Sequence, residues 1–78
     1  MDGTIREPIE SGTRLVDPGS PLRPLTVKAT SRKNEYEERL YRVHIAAGTT
    51  PSGYWQPGGW LGRLYTVQDF KDWGCREA

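Results

Sequence analysis

From Leu25 the chain alternates. Leu25, Val27 and Ala29 fall on one side and Thr26, Lys28 and Thr30 on the other, the period-two pattern of a half-buried strand. Ser31-Arg32-Lys33-Asn34 reads as a turn. Residues 34–48 carry two patterns at once. As a helix, Asn34 would cap it, Gly48 would end it, and Tyr36, Leu40, Val43 and Ala47 would form one apolar stripe. As a strand, Tyr41, Val43 and Ile45 share one face and Leu40, Arg42 and His44 the other. We favour the strand: capping and i,i+4 charge pairs contribute only a few tenths to about 1 kcal/mol each, and the strand at 25–31 needs a neighbour. The polar stretch 32–38 then serves as the loop between them.

Further on, Pro57-Gly58 suits the second and third positions of a type II turn, the third requiring a positive φ. A four-residue loop over 56–59 would set Trp55 and Trp60 opposite each other across a hairpin. The returning strand would cover 60–66, with Gly62 marking a bulge or a close backbone approach. Thr66 then reads as an N-cap with Asp69 completing a capping box, and Tyr65 and Phe70 match a hydrophobic staple. Val67, Phe70 and Trp73 share the inward face of this short helix, and Gly74 stops it.

Residues 1–24 show no period. They hold four of the six prolines and only six apolar side chains, against twenty-one in residues 25–78. That is too little burial to offset the entropy of ordering. We therefore expect a disordered N-terminal arm over 1–24 and a single small α+β domain over 25–78. The domain would be a three- or four-stranded antiparallel sheet with one short C-terminal helix. Ile5, Ile9, Leu15 and Val16 would be anchors if the arm folds on a partner.

Composition changes this picture little. About 54 folded residues is near the lower limit for an unstapled fold, and the one cysteine excludes an internal disulfide. All eight aromatics, three Trp, four Tyr and one Phe, lie between Tyr36 and Trp73. No segment approaches the roughly 20 apolar residues of a membrane helix, and the N-terminus lacks the apolar stretch of a signal peptide. Cys75 is fourth from the end, but Arg76 and Glu77 follow where a prenylation motif wants aliphatics. We expect a soluble cytoplasmic protein with no membrane partner.

Catalytic constellations are missing. A nucleophilic Cys75 would need a base, and His44 is the one histidine; the two cannot make a zinc site by themselves. Gly58-Gly59-Trp60-Leu61-Gly62 lacks the lysine and following helix of a phosphate loop. We expect no enzyme, no cofactor and no metal.

Two binding readings remain. Tyr and Trp beside a glycine-rich loop suit a protein contact, which would use Tyr54, Trp55, Trp60 and Arg63. A short chain of this kind has the size of accessory or inhibitor proteins carried by phages and other mobile elements, an analogy from length alone. The alternative is single-stranded nucleic acid, met by exposed aromatics and a basic stripe of Lys28, Arg32, Lys33, Arg39, Tyr41 and Arg42. Net charge is +1, without the basic excess of a duplex binder. A third reading is a structural subunit of a larger assembly, in which the same aromatics complete an interface.

Overall fold

The alternation that opens at Leu25 becomes the spine of a sheet in the computed structural model, which describes residues 4–78. The elements in order are β1 (Arg14–Val16), β2 (Leu25–Lys33), β3 (Arg39–Ile45), β4 (Gly48–Thr49), β5 (Trp55–Gln56), β6 (Gly59–Trp60), α1 (Val67–Trp73) and β7 (Arg76–Glu77). β2 and β3 form the central antiparallel pair, with Leu25 opposite Ile45, Val27 opposite Val43 and Ala29 opposite Tyr41. The faces are those read from the sequence. Leu25, Val27, Tyr41 and Val43 are buried, while Lys28 and Arg42 point to solvent.

Residues 34–38 turn rather than coil into a helix because Asn34 is consumed locally. Its side-chain oxygen accepts from the backbone N–H groups of Tyr36 and Glu38, each at 2.9 Å. Glu37 sits at φ 62 between them. A bulge between Ala29 and Lys33 absorbs the register change.

The main sheet has five strands in the order β6-β3-β2-β1-β7, every pair antiparallel, and β4 and β5 form a separate two-stranded ribbon. This exceeds the three or four strands expected. The surplus comes from the two chain ends: β1 and β7 close one edge of the sheet, with Leu15 opposite both Leu25 and Glu77.

The expected disordered arm over 1–24 is therefore corrected for its described part. Ile5 and Ile9 are 5% and 3% exposed and Leu15 is fully buried. Ile9 donates its backbone N–H to the Tyr41 hydroxyl at 3.1 Å. Gly12 donates to the Val27 carbonyl at 2.8 Å, and Val27 returns a bond to Thr13 at 2.9 Å. Three apolar residues suffice here because Ile5, Ile9 and Leu15 are buried almost completely against a sheet already formed by others, although Leu22 stays 66% exposed. Residues 1–3 of that expectation lie outside the described residues.

The helix forms as its local signals require. Thr66 caps it, accepting from the Asp69 N–H at 3.1 Å while the Asp69 carboxylate accepts from the Thr66 N–H at 2.9 Å. Gly74 ends it in the left-handed region at φ 90. Phe70 is fully buried, its ring 5.6 Å from that of Tyr65 and 6.4 Å from that of Tyr41. Full burial of such a ring contributes on the order of 2–3 kcal/mol. Cys75, the residue after the Gly74 stop, is 7% exposed and belongs to this core. Among the described residues no helix is long and apolar enough to cross a membrane.

Candidate functional site

The hairpin that would have paired Trp55 with Trp60 does not form. Trp55 lies opposite Thr49 in the ribbon, and Trp60 lies opposite His44 at the edge of the main sheet. Pro57-Gly58 makes no type II turn, since Gly58 is not among the residues with positive φ. Gly58 serves close approach instead. A Cβ there would come within 2.7 Å of the Ile45 carbonyl oxygen and 2.8 Å of the Ala47 nitrogen. The chain uses that approach to cross from the ribbon to the sheet.

The returning strand is also shorter than 60–66. Leu61 still donates to the Val43 carbonyl at 2.8 Å, and Tyr65 and Tyr41 exchange two backbone hydrogen bonds of 2.7 and 2.9 Å. Between them Gly62 and Arg63 leave the ladder as a bend. Gly62 meets no neighbour, so of its two expected roles the excursion holds and the close approach does not.

The four residues expected at a protein contact are consequently spread over three places. Tyr54 and Trp55 ride on the β4–β5 ribbon, 71% and 66% exposed. Its turn is fixed by Thr50, whose backbone N–H donates to the Tyr54 carbonyl at 2.7 Å and whose carbonyl accepts from Gly53 at 2.9 Å. Gly53 supplies the positive φ of 92. The other face of the ribbon, at Gly48, rests against the backbone of Leu22. Arg23 clamps the crossing, donating to the Ala46 carbonyl at 3.2 Å and the Pro57 carbonyl at 3.0 Å. Nothing in the sequence marks Arg23 for this; its partners lie 23 and 34 residues away.

Trp60 occupies the outward face of the main sheet. Its indole lies 4.5 Å from the Arg42 guanidinium carbon, a cation–π contact, and meets the His44 ring edge-on at 5.2 Å. Arg63 is elsewhere, drawn to the start of α1 by the Asp69 carboxylate at 3.5 Å and lying 4.7 Å over the Tyr65 ring.

The basic stripe divides in the same way. Lys28 and Arg42 stand directly opposite each other on the outward face, beside Trp60. Arg32 is exposed in the bulged end of β2. Lys33 is paired with Glu37 at 3.9 Å. Arg39 faces the other way, beside a groove that also takes in Glu7, Glu38, Tyr41 and Gln68. Tyr41 is 1% exposed and cannot stack on a ligand. Its membership of a binding stripe is corrected: Tyr41 shares the inward face with Val43 and serves the core.

His44 and Cys75 lie on opposite faces of the sheet, one against Trp60 and the other in the core. They cannot act as a base and a nucleophile together. Burial, with a smaller contribution from the Asp17 carboxylate, pushes the Cys75 thiol up to about 11, which suits an inert side chain rather than a nucleophile. Among the described residues no three of His, Cys, Asp or Glu come together to hold a metal ion.

What the arrangement offers chemically is surface. One patch is aromatic and uncharged at Tyr54 and Trp55, and the other is aromatic and cationic around Trp60. No protein-family model matches the chain, and no curated protein and no solved structure is found to be similar to it.

Proposed function

We propose that this chain is a non-enzymatic interaction module that binds a protein partner through the β4–β5 ribbon, with Tyr54 and Trp55 as its anchors. The observation that carries the reading is their exposure. Tyr36, Tyr54, Trp55 and Trp60 are the exposed aromatics among the described residues, and Tyr54 and Trp55 are the two adjacent in the chain. They stand out of a domain so small that nine apolar residues make up its described buried core. A domain short of apolar surface gains stability by burying such rings, and Trp and Tyr dominate binding hot spots when a partner covers them. The ribbon also holds the rings on ordered backbone, through Thr50 on the turn and Arg23 beneath it, so little ordering entropy remains to oppose binding.

An accessory or inhibitor role fits this build, and a structural subunit that buries the ribbon in an assembly is a special case of it. The one cysteine favours a reducing location, the cytoplasm. The test is capture of partners from lysate treated with nuclease, using the parent and Trp55→Ala side by side. A protein retained by the parent and lost with Trp55→Ala supports the reading. Capture that Trp55→Ala leaves intact, or that nuclease abolishes, overturns it.

A further inference from the structure

The outward face of the main sheet carries a charge pattern that the ribbon does not explain. Arg14 lies opposite Thr26, Thr26 opposite His44, and His44 opposite Trp60, so these four make one row across the sheet. Lys28 and Arg42 make the next row on the same face. Arg76 stands opposite Val16, two residues along β1 from Arg14 and therefore on that face too. No acidic residue occupies an outward strand position in these rows.

Outside these rows, four cations are paired with carboxylates, while Arg23, Arg32 and Arg39 make no ion pair among the described residues. Arg6, Lys33, Arg63 and Lys71 each have a carboxylate within 4 Å, namely Glu77, Glu37, Asp69 and Glu7. Arg14, Lys28, Arg42 and Arg76 make no ion pair among the described residues. Lys28 and Arg42 are like charges directly across a strand pair, an arrangement that costs stability. Arg42 recovers part of that cost from the Trp60 ring.

With strands about 4.8 Å apart and alternate residues about 6.7 Å apart along a strand, the four cations trace a diagonal. It runs from Arg76 through Arg14 and Lys28 to Arg42 and is roughly 20 Å long. Trp60, nearly half exposed at 47%, stands beside its end.

We propose that this face is a docking track for a single strand of nucleic acid, with Arg76, Arg14, Lys28 and Arg42 meeting successive phosphates and Trp60 stacking on a base. Charge complementarity sets the sign of the partner. A line of separated cations suits a flexible polyanion, and an aromatic ring beside cations is the surface that single strands use. Arginine adds forked, bidentate contact to phosphate oxygens. A duplex is disfavoured by the small net charge of +1. An acidic peptide would match the cations but would make no use of the indole. This site is distinct from the Tyr54–Trp55 ribbon and does not depend on the protein-binding reading.

The test is fluorescence anisotropy with the full chain and a labelled oligothymidylate of about 12 nucleotides, against a polyglutamate peptide of equal charge. The oligonucleotide should bind, with log K falling against log salt at a slope of about −2 to −3 for four contacts. Lys28→Gln with Arg42→Gln should weaken it about tenfold or more, and so should Arg14→Gln with Arg76→Gln, whose exposed side chains leave the core untouched. Trp60→Ala should cost roughly five- to a hundredfold. Trp55→Ala should change nothing, which separates this site from the ribbon. The proposal is overturned by no binding at low salt, by polyglutamate binding as tightly, or by affinity that both glutamine pairs leave intact. A Trp55→Ala loss as large as that of Trp60→Ala would overturn it as well.

Discussion

The backbone N–H of Ile9 donates to the phenolic oxygen of Tyr41 at 3.1 Å, across 32 residues of chain, and both groups are buried. One polar atom inside the core thus fixes the N-terminal segment to the middle of β3. It also explains why a tyrosine, rather than a phenylalanine, fills this position: its ring packs near Phe70 while its hydroxyl satisfies a backbone donor that water cannot reach.

Tyr41→Phe keeps the ring and removes only that acceptor. Leaving a buried N–H unsatisfied costs about 1–3 kcal/mol, a large share of the stability of a domain this size. Urea titration should show the midpoint falling with the slope unchanged. Equal midpoints for parent and variant would mean that the Ile9 N–H finds another partner.

Ile9 itself measures how far the N-terminal segment belongs to the fold. At 3% exposure, Ile9→Ala should destabilise by about 2–5 kcal/mol. Backbone order parameters near 0.85 should extend from Ile5 through Leu15, the range of rigid backbone. Thermal melts of the two proteins that coincide, or order parameters below about 0.6 across this stretch, would detach the segment from the core.

What the sequence disclosed followed the range of the interactions. The helix was legible to its caps because Thr66, Asp69, Phe70 and Gly74 act on neighbours within one or two turns. The faces of β2 and β3 were legible because alternation is local. The N-terminal packing was not, since Ile5, Ile9 and Leu15 carry no period and find their partners far along the chain. The tryptophans were misplaced for a related reason: Pro57-Gly58 has the composition of a turn, but the approach to Ile45–Ala47 decides its path. The cationic face depends on strand register, which brings Arg14, Lys28 and Arg42 together only once β1 has joined β2.

Two glycines separate close approach from mere flexibility. At Gly58 an added methyl would press on the backbone of Ile45 and Ala47, whereas at Gly62 it would meet nothing within 4 Å. Gly58→Ala should therefore destabilise by about 1–3 kcal/mol through overpacking. Gly62→Ala should lie within about 0.5 kcal/mol of the parent, as an exposed substitution clear of special contacts. Paired thermal melts decide the matter, and equal losses at both sites would remove the close-approach account of the ribbon crossing.

Cys75 gives the fold an alkaline limit. Burial first, and the Asp17 carboxylate second, raise its pKa from 9.0 to about 11, so the folded state favours the neutral thiol. The resulting stabilisation is complete below pH 9.0, where folded and unfolded thiols are both protonated. Above that the unfolded thiol ionises first, and stability falls by about 1.4 kcal/mol per pH unit until the folded thiol ionises near 11. The informative quantity is the stability of the parent minus that of Cys75→Ala, in which contributions common to both proteins cancel. It should be flat up to pH 9 and then decline by about 2–3 kcal/mol towards pH 11. Alkylation at neutral pH should be slow in the native protein and fast in denaturant, because the thiol is both protonated and covered. A difference that stays flat to pH 11, or native alkylation as fast as in denaturant, would place Cys75 at the surface rather than in the core beside Phe70.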